Sequence, residues 1–300
     1  MMSAAKATPT LRDWIALLRP RQWVKNAFVL APMLFGGRAS DPPAVGKALL
    51  ATLVFSVLAS GVYALNDVFD AKSDQMHPTK RSRPIAAGRI PASRGALVGF
   101  SLAAGASLGA WMLDPRFGLI ALGYLLLNVV YTLRLKAIVI LDVFAVASFF
   151  IMRLLAGAAV VQVVPSIWIL LCGGLLALYL GFAKRRNELI LLGEGSLHHR
   201  EVLTKYEPEF LDQMSSVLLS VTVISYIMYT LTSEAAVRVG SDVLTYSVVF
   251  VLYGVFRYLY LSHRHGGGGD PSETLLTDRP LMGSVILWVV YCGWVIYLAG

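Results

Sequence analysis

Residues 45–74 read VGKALLATLVFSVLASGVYALNDVFDAKSD. From Ala48 to Leu65 the run carries no charge. As an α-helix, a run of about 20 such residues crosses the hydrocarbon core of a bilayer. Polarity then switches at once, with Asn66, Asp67, Asp70 and Asp74 following directly. An apolar span that ends on three aspartates places a charged site at a membrane surface. This stretch therefore decides the fold and shows where to look for chemistry.

The rest of the chain repeats the apolar half of that pattern. Of its 300 residues, 57% are hydrophobic and only 15% charged, against about 25% charged in soluble domains. Apolar windows fall at residues 22–38, 45–65, 92–113, 117–134, 137–161, 165–183, 211–232, 242–262 and 281–299. Their length excludes a β-barrel, whose strands need only about 10 alternating residues. The expectation is an all-α, polytopic membrane protein of about nine helices, with residues 1–300 forming a single integral domain. The window at 22–38 is the weakest, because Pro32 interrupts a short run.

Lys and Arg sort onto alternate sides of these windows: 21 on one side, including Lys25, Lys80, Arg81, Arg83, Lys136, Lys184 and Arg185, and 4 on the other. Only Arg153 stays inside a span. The rich side is expected to be cytoplasmic, which makes the protein a multi-pass component of the plasma (inner) membrane. This bias accounts for most of the net charge of +8, so no nucleic-acid partner is needed; anionic headgroups and phosphate substrates suit it better. No cleavable signal peptide is expected: residues 1–21 read as a basic lead-in, with Trp14, Ile15, Leu17 and Leu18 forming a short interfacial helix. Gly266–Gly269 reads as a flexible linker. Cys172 and Cys292 fall inside spans and read as packing residues, and His198 and His199 as loop surface.

If the helix continues past Asn66, Asp67, Asp70 and Asp74 lie three and four apart on one face. Their mutual repulsion is relieved by a divalent cation, and carboxylate oxygens suit Mg²⁺, which shares its shell with substrate phosphates. Lys80, Arg81 and Arg83 follow closely, and guanidinium groups clasp phosphate oxygens in bidentate fashion. The basic residues alone also satisfy the charge rule, but that rule does not call for the acids. A metal-bridged diphosphate fits the combination. Asp142 and Arg153 share a face of the fifth span but lie eleven residues apart, too far to pair, so each needs another partner in a bundle interior or cavity. Tyr131 and Lys136 close the fourth span, as interfacial anchors or site residues. Lys184, Arg185 and Glu188 follow the sixth, as a second anion-binding edge or as plain surface charge.

The block NDVFDAKSDQMHPTKRSRPIAAG (66–88) resembles the first aspartate-rich motif of the UbiA superfamily of intramembrane prenyltransferases, with Asn66, Asp67, Asp70, Asp74, Arg83 and Pro84 fitting it. The resemblance implies a bundle of about nine helices with a central cavity open to the cytoplasm. It also implies substrate-binding loops at residues 66–91 and 184–210. Superfamily members carry a second aspartate motif after the sixth span; here KRRNE (184–188) stands there instead. Together with RPRQWVKN (19–26) and HPTKR (77–81), that departure resembles the decaprenyl-phosphate phosphoribosyltransferase branch. That branch implies a phosphoribosyl pyrophosphate donor, a polyprenyl phosphate acceptor, Mg²⁺ as cofactor, and a product that feeds arabinan synthesis in the cell envelope. By the same resemblance Asp67, Asp70 and Asp74 are catalytic metal ligands. Lys25, Asn66, Lys80, Arg81, Arg83, Tyr131, Lys136, Asp142, Arg153, Lys184, Arg185 and Glu188 contact substrate. A prenyl-diphosphate-dependent aromatic prenyltransferase and a phospholipid-type transporter remain the alternatives, and homo-oligomerisation is left open.

Overall fold

Inside a bilayer a backbone must satisfy its own hydrogen bonds, which leaves α-helices as the economical solution for runs of this length. The computed structural model describes residues 9–76, 78–192, 201–233, 236–237, 241–263 and 271–298, and among these there is no strand. The first eight residues, His198, His199 and the Gly266–Gly269 run lie outside the described residues. The described helices are α1 (Leu11–Leu18), a 3-10 helix (Pro20–Val29), α2 (Ala31–Phe35), α3 (Pro42–Phe69), α4 (Ala71–Met76), α5 (Ala92–Leu113), α6 (Pro115–Leu133), α7 (Leu141–Val161), α8 (Ile167–Leu192), α9 (Pro208–Thr232), α10 (Ser241–Thr245), α11 (Val248–His263), α12 (Pro271–Thr277) and α13 (Arg279–Leu298), with shorter 3-10 turns at Lys80–Ser82, Leu135–Ala137 and Glu201–Lys205. Three of the long helices start on an acid–proline pair, Asp41-Pro42, Asp114-Pro115 and Glu207-Pro208. Proline's fixed φ and missing N–H suit the first helical position.

Among the described residues eight helices are long and apolar enough to span a membrane: α3, α5, α6, α7, Ile167–Ile190 of α8, α9, Val243–His263 and α13. The protein is thus multi-pass. Leu53, Leu97, Phe100, Leu126 and Phe256 point outward, as lipid-facing residues do. The 22–38 window is not one of them; it forms the 3-10 helix and α2, an irregular segment. Ten 3-10 residues rise about 20 Å and the five of α2 about 7 Å, close to the bilayer core thickness of about 30 Å. The segment runs antiparallel along α3 from end to end. Arg19 meets Asp67, Trp23 Nε1 donates to Ser60 Oγ (2.9 Å), Asn26 Nδ2 donates to Ser56 Oγ (2.9 Å), and Leu30 and Met33 pack on Ala44 and Ala48.

Arg153 is what this irregular segment leans on. It is 3% exposed in the middle of α7. Its Nε donates to Asn26 Oδ1 (2.8 Å) and its Nη1 to the Phe149 carbonyl (2.6 Å), and its guanidinium lies 5.0–5.5 Å from the rings of Phe55, Tyr124 and Phe150. Cation–π contact and carbonyl acceptors replace a carboxylate here. On the other flank Gly157 touches the Val29 backbone so closely that a Cβ would run into the Val29 carbonyl. Gly157→Ala is expected to displace the crossing and destabilise the protein by about 1–3 kcal/mol, read as a lower unfolding midpoint in detergent. An unchanged midpoint would mean that the segment is not wedged there.

The long helices pack on their neighbours in chain order from α5 to α9, and α3 joins α5 and α7. Tyr297, near the end of α13, closes the circuit: its hydroxyl donates to the Leu34 carbonyl (2.6 Å) and accepts from the Ala39 N–H (3.0 Å). The C-terminal ends of α3, α6 and α8, together with α1 and residues 80–90, gather at one end of the bundle.

Candidate functional site at the basic end

The site starts where α3 stops. Asp70 caps the helix (φ −88°, ψ 2°) and α4 restarts at Ala71. The three aspartates therefore do not share one helical face. Asp67 and Asp74 are buried, 2% and 4% exposed, and both meet Arg83 Nη1, at 3.1 Å from Asp67 Oδ1 and 2.6 Å from Asp74 Oδ2. Asp67 Oδ1 also accepts from Arg19. Asp70 turns the other way, and its Oδ1 accepts from Lys136 Nζ (2.8 Å). Nearby, Thr132 donates to Asn66 Oδ1 (3.1 Å). The expected triad is thus a pair plus one. Among the described residues no three His, Cys, Asp or Glu side chains converge in a metal-ready group.

Arg19 is the residue that reading the sequence left out of the site. It joins α1 to the 3-10 helix at φ +52°, the left-handed region, which costs of order 1 kcal/mol or more for a non-glycine residue. Its guanidinium sits 5.3 Å from the Tyr63 ring centroid and on Asp67. The visible signal was Arg19-Pro20, since a residue before proline is disfavoured in the α region. α1 is held in turn by a capping box between Thr10 and Asp13 and by Arg89 Nε on Asp13 Oδ1 (2.6 Å). The Thr10 hydroxyl and Arg89 hold the Asp13 carboxyl down at about 2. Leu17 is fully buried against Ala64, Ile85 and Ile90, so α1 docks on the bundle end and is more than an interfacial helix. The Pro84–Gly88 turn beneath it needs the positive φ of Gly88 (+72°), which glycine adopts without steric cost. Lys80 and Lys25 are half-buried and Arg81 is exposed at this end.

A second cluster sits across the bundle. α8 continues to Leu192, so Lys184, Arg185 and Glu188 lie on a helix and not in a loop. Arg185, 4% exposed, donates Nε to Asp142 Oδ2 (2.6 Å) and Nη1 to Glu188 Oε2 (2.6 Å). Asp142 is fully buried, and its Oδ1 accepts from the Tyr206 hydroxyl (2.8 Å), which itself accepts from the Ile140 N–H (2.6 Å). Burial pushes the Tyr206 phenol well above its ordinary value. This knot holds Ile140 at φ +69°, an outlier for a β-branched residue. Asp142 and Arg153 thus each found their own partner, as their spacing requires. Tyr131, in α6, lies edge-on to Phe149 with ring centroids 6.0 Å apart and within electrostatic reach of Arg185. Beyond it, Arg186 pairs with Asp212 (2.5 Å) and joins α8 to α9.

The fold and the site are thus those of a polytopic helical bundle with buried aspartates and guanidinium groups at one end. Residues 27–267 match the model of the UbiA prenyltransferase family, and the chain belongs to that family. Among its relatives, the decaprenyl-phosphate phosphoribosyltransferase of Mycobacterium tuberculosis is 32% identical over 284 residues, covering 93% of this chain and 92% of that one. The protein of the same name from Corynebacterium glutamicum is 30% identical over 290 residues, covering 95% of this chain and 86% of that one. The fold matches a UbiA homolog from Archaeoglobus fulgidus bound to GPP and Mg²⁺, with a TM-score of 0.73 at 20% identity over 95% of this chain and all of that one.

Proposed function

We propose that this protein transfers the 5-phosphoribosyl group from phosphoribosyl pyrophosphate to a polyprenyl phosphate of the decaprenyl kind and releases diphosphate. The observation that carries the reading is the asymmetry of the site. The aspartates Asp67 and Asp74 stand buried at the end of α3 and in α4, while the matching end of α8 carries no aspartate and offers Lys184, Arg185 and Arg186 beside Glu188. A donor with one diphosphate leaving group and a second phosphate on its sugar fits one metal-binding edge facing one cationic edge. Relatives that match nearly end to end carry the name of this activity.

A divalent cation fits the residues present. Asp67 Oδ2 is buried without a hydrogen-bond partner, and an orphaned acceptor of that kind is costly unless something occupies it. Asp67 and Asp74 would hold Mg²⁺, with Asp70 and Asn66 beside them on the same stretch of chain. Bound there, Mg²⁺ would neutralise the diphosphate and ease its departure. Arg83, Lys80, Arg81 and Lys136 clasp the diphosphate, and Lys184, Arg186 and Lys25 take the 5-phosphate. The acceptor phosphate is already an anion. One of its oxygens forms the bond to the anomeric carbon as the bond from that carbon to the diphosphate oxygen breaks, the electron pair leaves with the diphosphate, and no proton has to move. What remains for the protein is alignment and charge stabilisation. Arg185, Asp142 and Glu188 hold α7 and α8 in place, Arg153 holds the irregular crossing that presents Lys25, and Tyr131 borders the central cavity. The whole chain works as one integral membrane unit in the plasma membrane, with the basic end and its cavity facing the cytoplasm.

Purified protein with Mg²⁺, phosphoribosyl pyrophosphate and a medium-length polyprenyl phosphate is expected to yield a phosphoribosylated lipid by mass spectrometry, and none in excess EDTA. Product only from a prenyl diphosphate and an aromatic acid would transfer the reading to aromatic prenylation.

A further inference from the structure

We infer that Arg19 and Arg83 are built-in counter-ions of the Asp67–Asp74 pair, and that they make metal binding conditional on the arrival of a diphosphate. The inference rests on the metal and diphosphate reading above. It assigns a role to Arg19 and an order to binding, neither of which that reading contains.

The geometry is specific. Asp67 Oδ1 takes both guanidinium groups, and the Arg83 nitrogen it meets also holds Asp74 Oδ2. Two buried carboxylates are thus balanced by two cations. A divalent ion added to this set would bring two further positive charges against both guanidinium groups, where a buried site screens little. Metal alone therefore binds weakly. A diphosphate changes the balance, because guanidinium groups pair with phosphate oxygens at least as well as with carboxylates. Each arginine is about one quarter exposed while Asp67 is 2% exposed. The cations thus reach the surface from which a phosphate arrives, and the carboxylates stay in place. As the arginines shift onto the diphosphate, Asp67 and Asp74 are released for the metal, and Asp67 Oδ2 already stands without a partner. The coupling is reciprocal: metal strengthens diphosphate binding by the same factor. A site wired in this way holds a metal only weakly without its donor.

Equilibrium dialysis of the purified full chain against Mn²⁺, with and without inorganic pyrophosphate, tests this. Dialysis cancels the metal–pyrophosphate complex that forms in both chambers. The wild-type protein is expected to hold Mn²⁺ at least tenfold more tightly with pyrophosphate present. Arg83→Ala and, separately, Arg19→Ala are expected to bind Mn²⁺ alone at least tenfold more tightly than wild type. Asp67→Asn is expected to lose binding under every condition. Wild type binding Mn²⁺ alone as tightly as both arginine variants would overturn the counter-ion inference while leaving the metal site standing. Undiminished binding in Asp67→Asn would overturn the metal assignment itself. Two arginine variants are used so that one misfolded protein, recognised by gel filtration, does not decide the matter.

Discussion

Asp67→Asn is expected to lower kcat by about three orders of magnitude, or about 4 kcal/mol of barrier, with little loss of folded protein. The substitution keeps one oxygen and removes the charge. The lost charge matters because Asp67 is the carboxylate that faces both arginines and has a buried oxygen to spare. The fold is expected to tolerate it: Arg83 keeps Asp74, and Arg19, one quarter exposed, turns to water. Asp70→Asn is expected to cost much less, about tenfold, because Asp70 is one-third exposed and engages Lys136 on the other side. Phosphoribosyl transfer measured beside a thermal unfolding curve separates chemistry from folding. Turnover of Asp67→Asn within tenfold of wild type, at equal amounts of folded protein, would falsify the placement of the metal.

The ranking of the two aspartates could not be read from the sequence. Spacings of three and four promise one face only if a helix continues, and here it breaks at Asp70. What hydropathy reads well is local: each regular span is an uninterrupted apolar run, and its position follows from its own residues. The irregular crossing failed that test because its stability is not local. Trp23 and Asn26 look polar for a span until Ser60, Ser56 and Arg153 supply their partners. Those partners lie 30 to 127 residues away. The extent of α8 past residue 183 was closer to legible, since Arg185 and Glu188 are three apart and pair on one helical face. The partner of Asp142 was not, because Arg185 is 43 residues away and only the packing of α7 against α8 brings the two together.

That pairing makes Asp142 the strongest stability prediction. Asp142→Ala is expected to destabilise the protein by about 3 kcal/mol, near the lower end of what breaking a buried ion pair costs. The loss is moderated because Arg185 keeps Glu188, a partner one quarter exposed. Three things fail together: Arg185 loses its Nε acceptor, the Tyr206 hydroxyl loses its acceptor, and Ile140 loses part of the frame that holds its left-handed backbone. Strain of that kind persists only where surrounding contacts over-determine it, so the α6–α7 joint that carries Lys136 is expected to loosen as well. The double replacement Asp142→Leu with Arg185→Met removes both charges and is expected to recover most of the stability, since well-packed apolar pairs commonly match buried ion pairs. Recovery of stability without activity would mark the pair as holding α7 and α8 in register for the substrate. If the single variant unfolds within 1 kcal/mol of wild type, water reaches the pair and the knot is not what fixes Ile140.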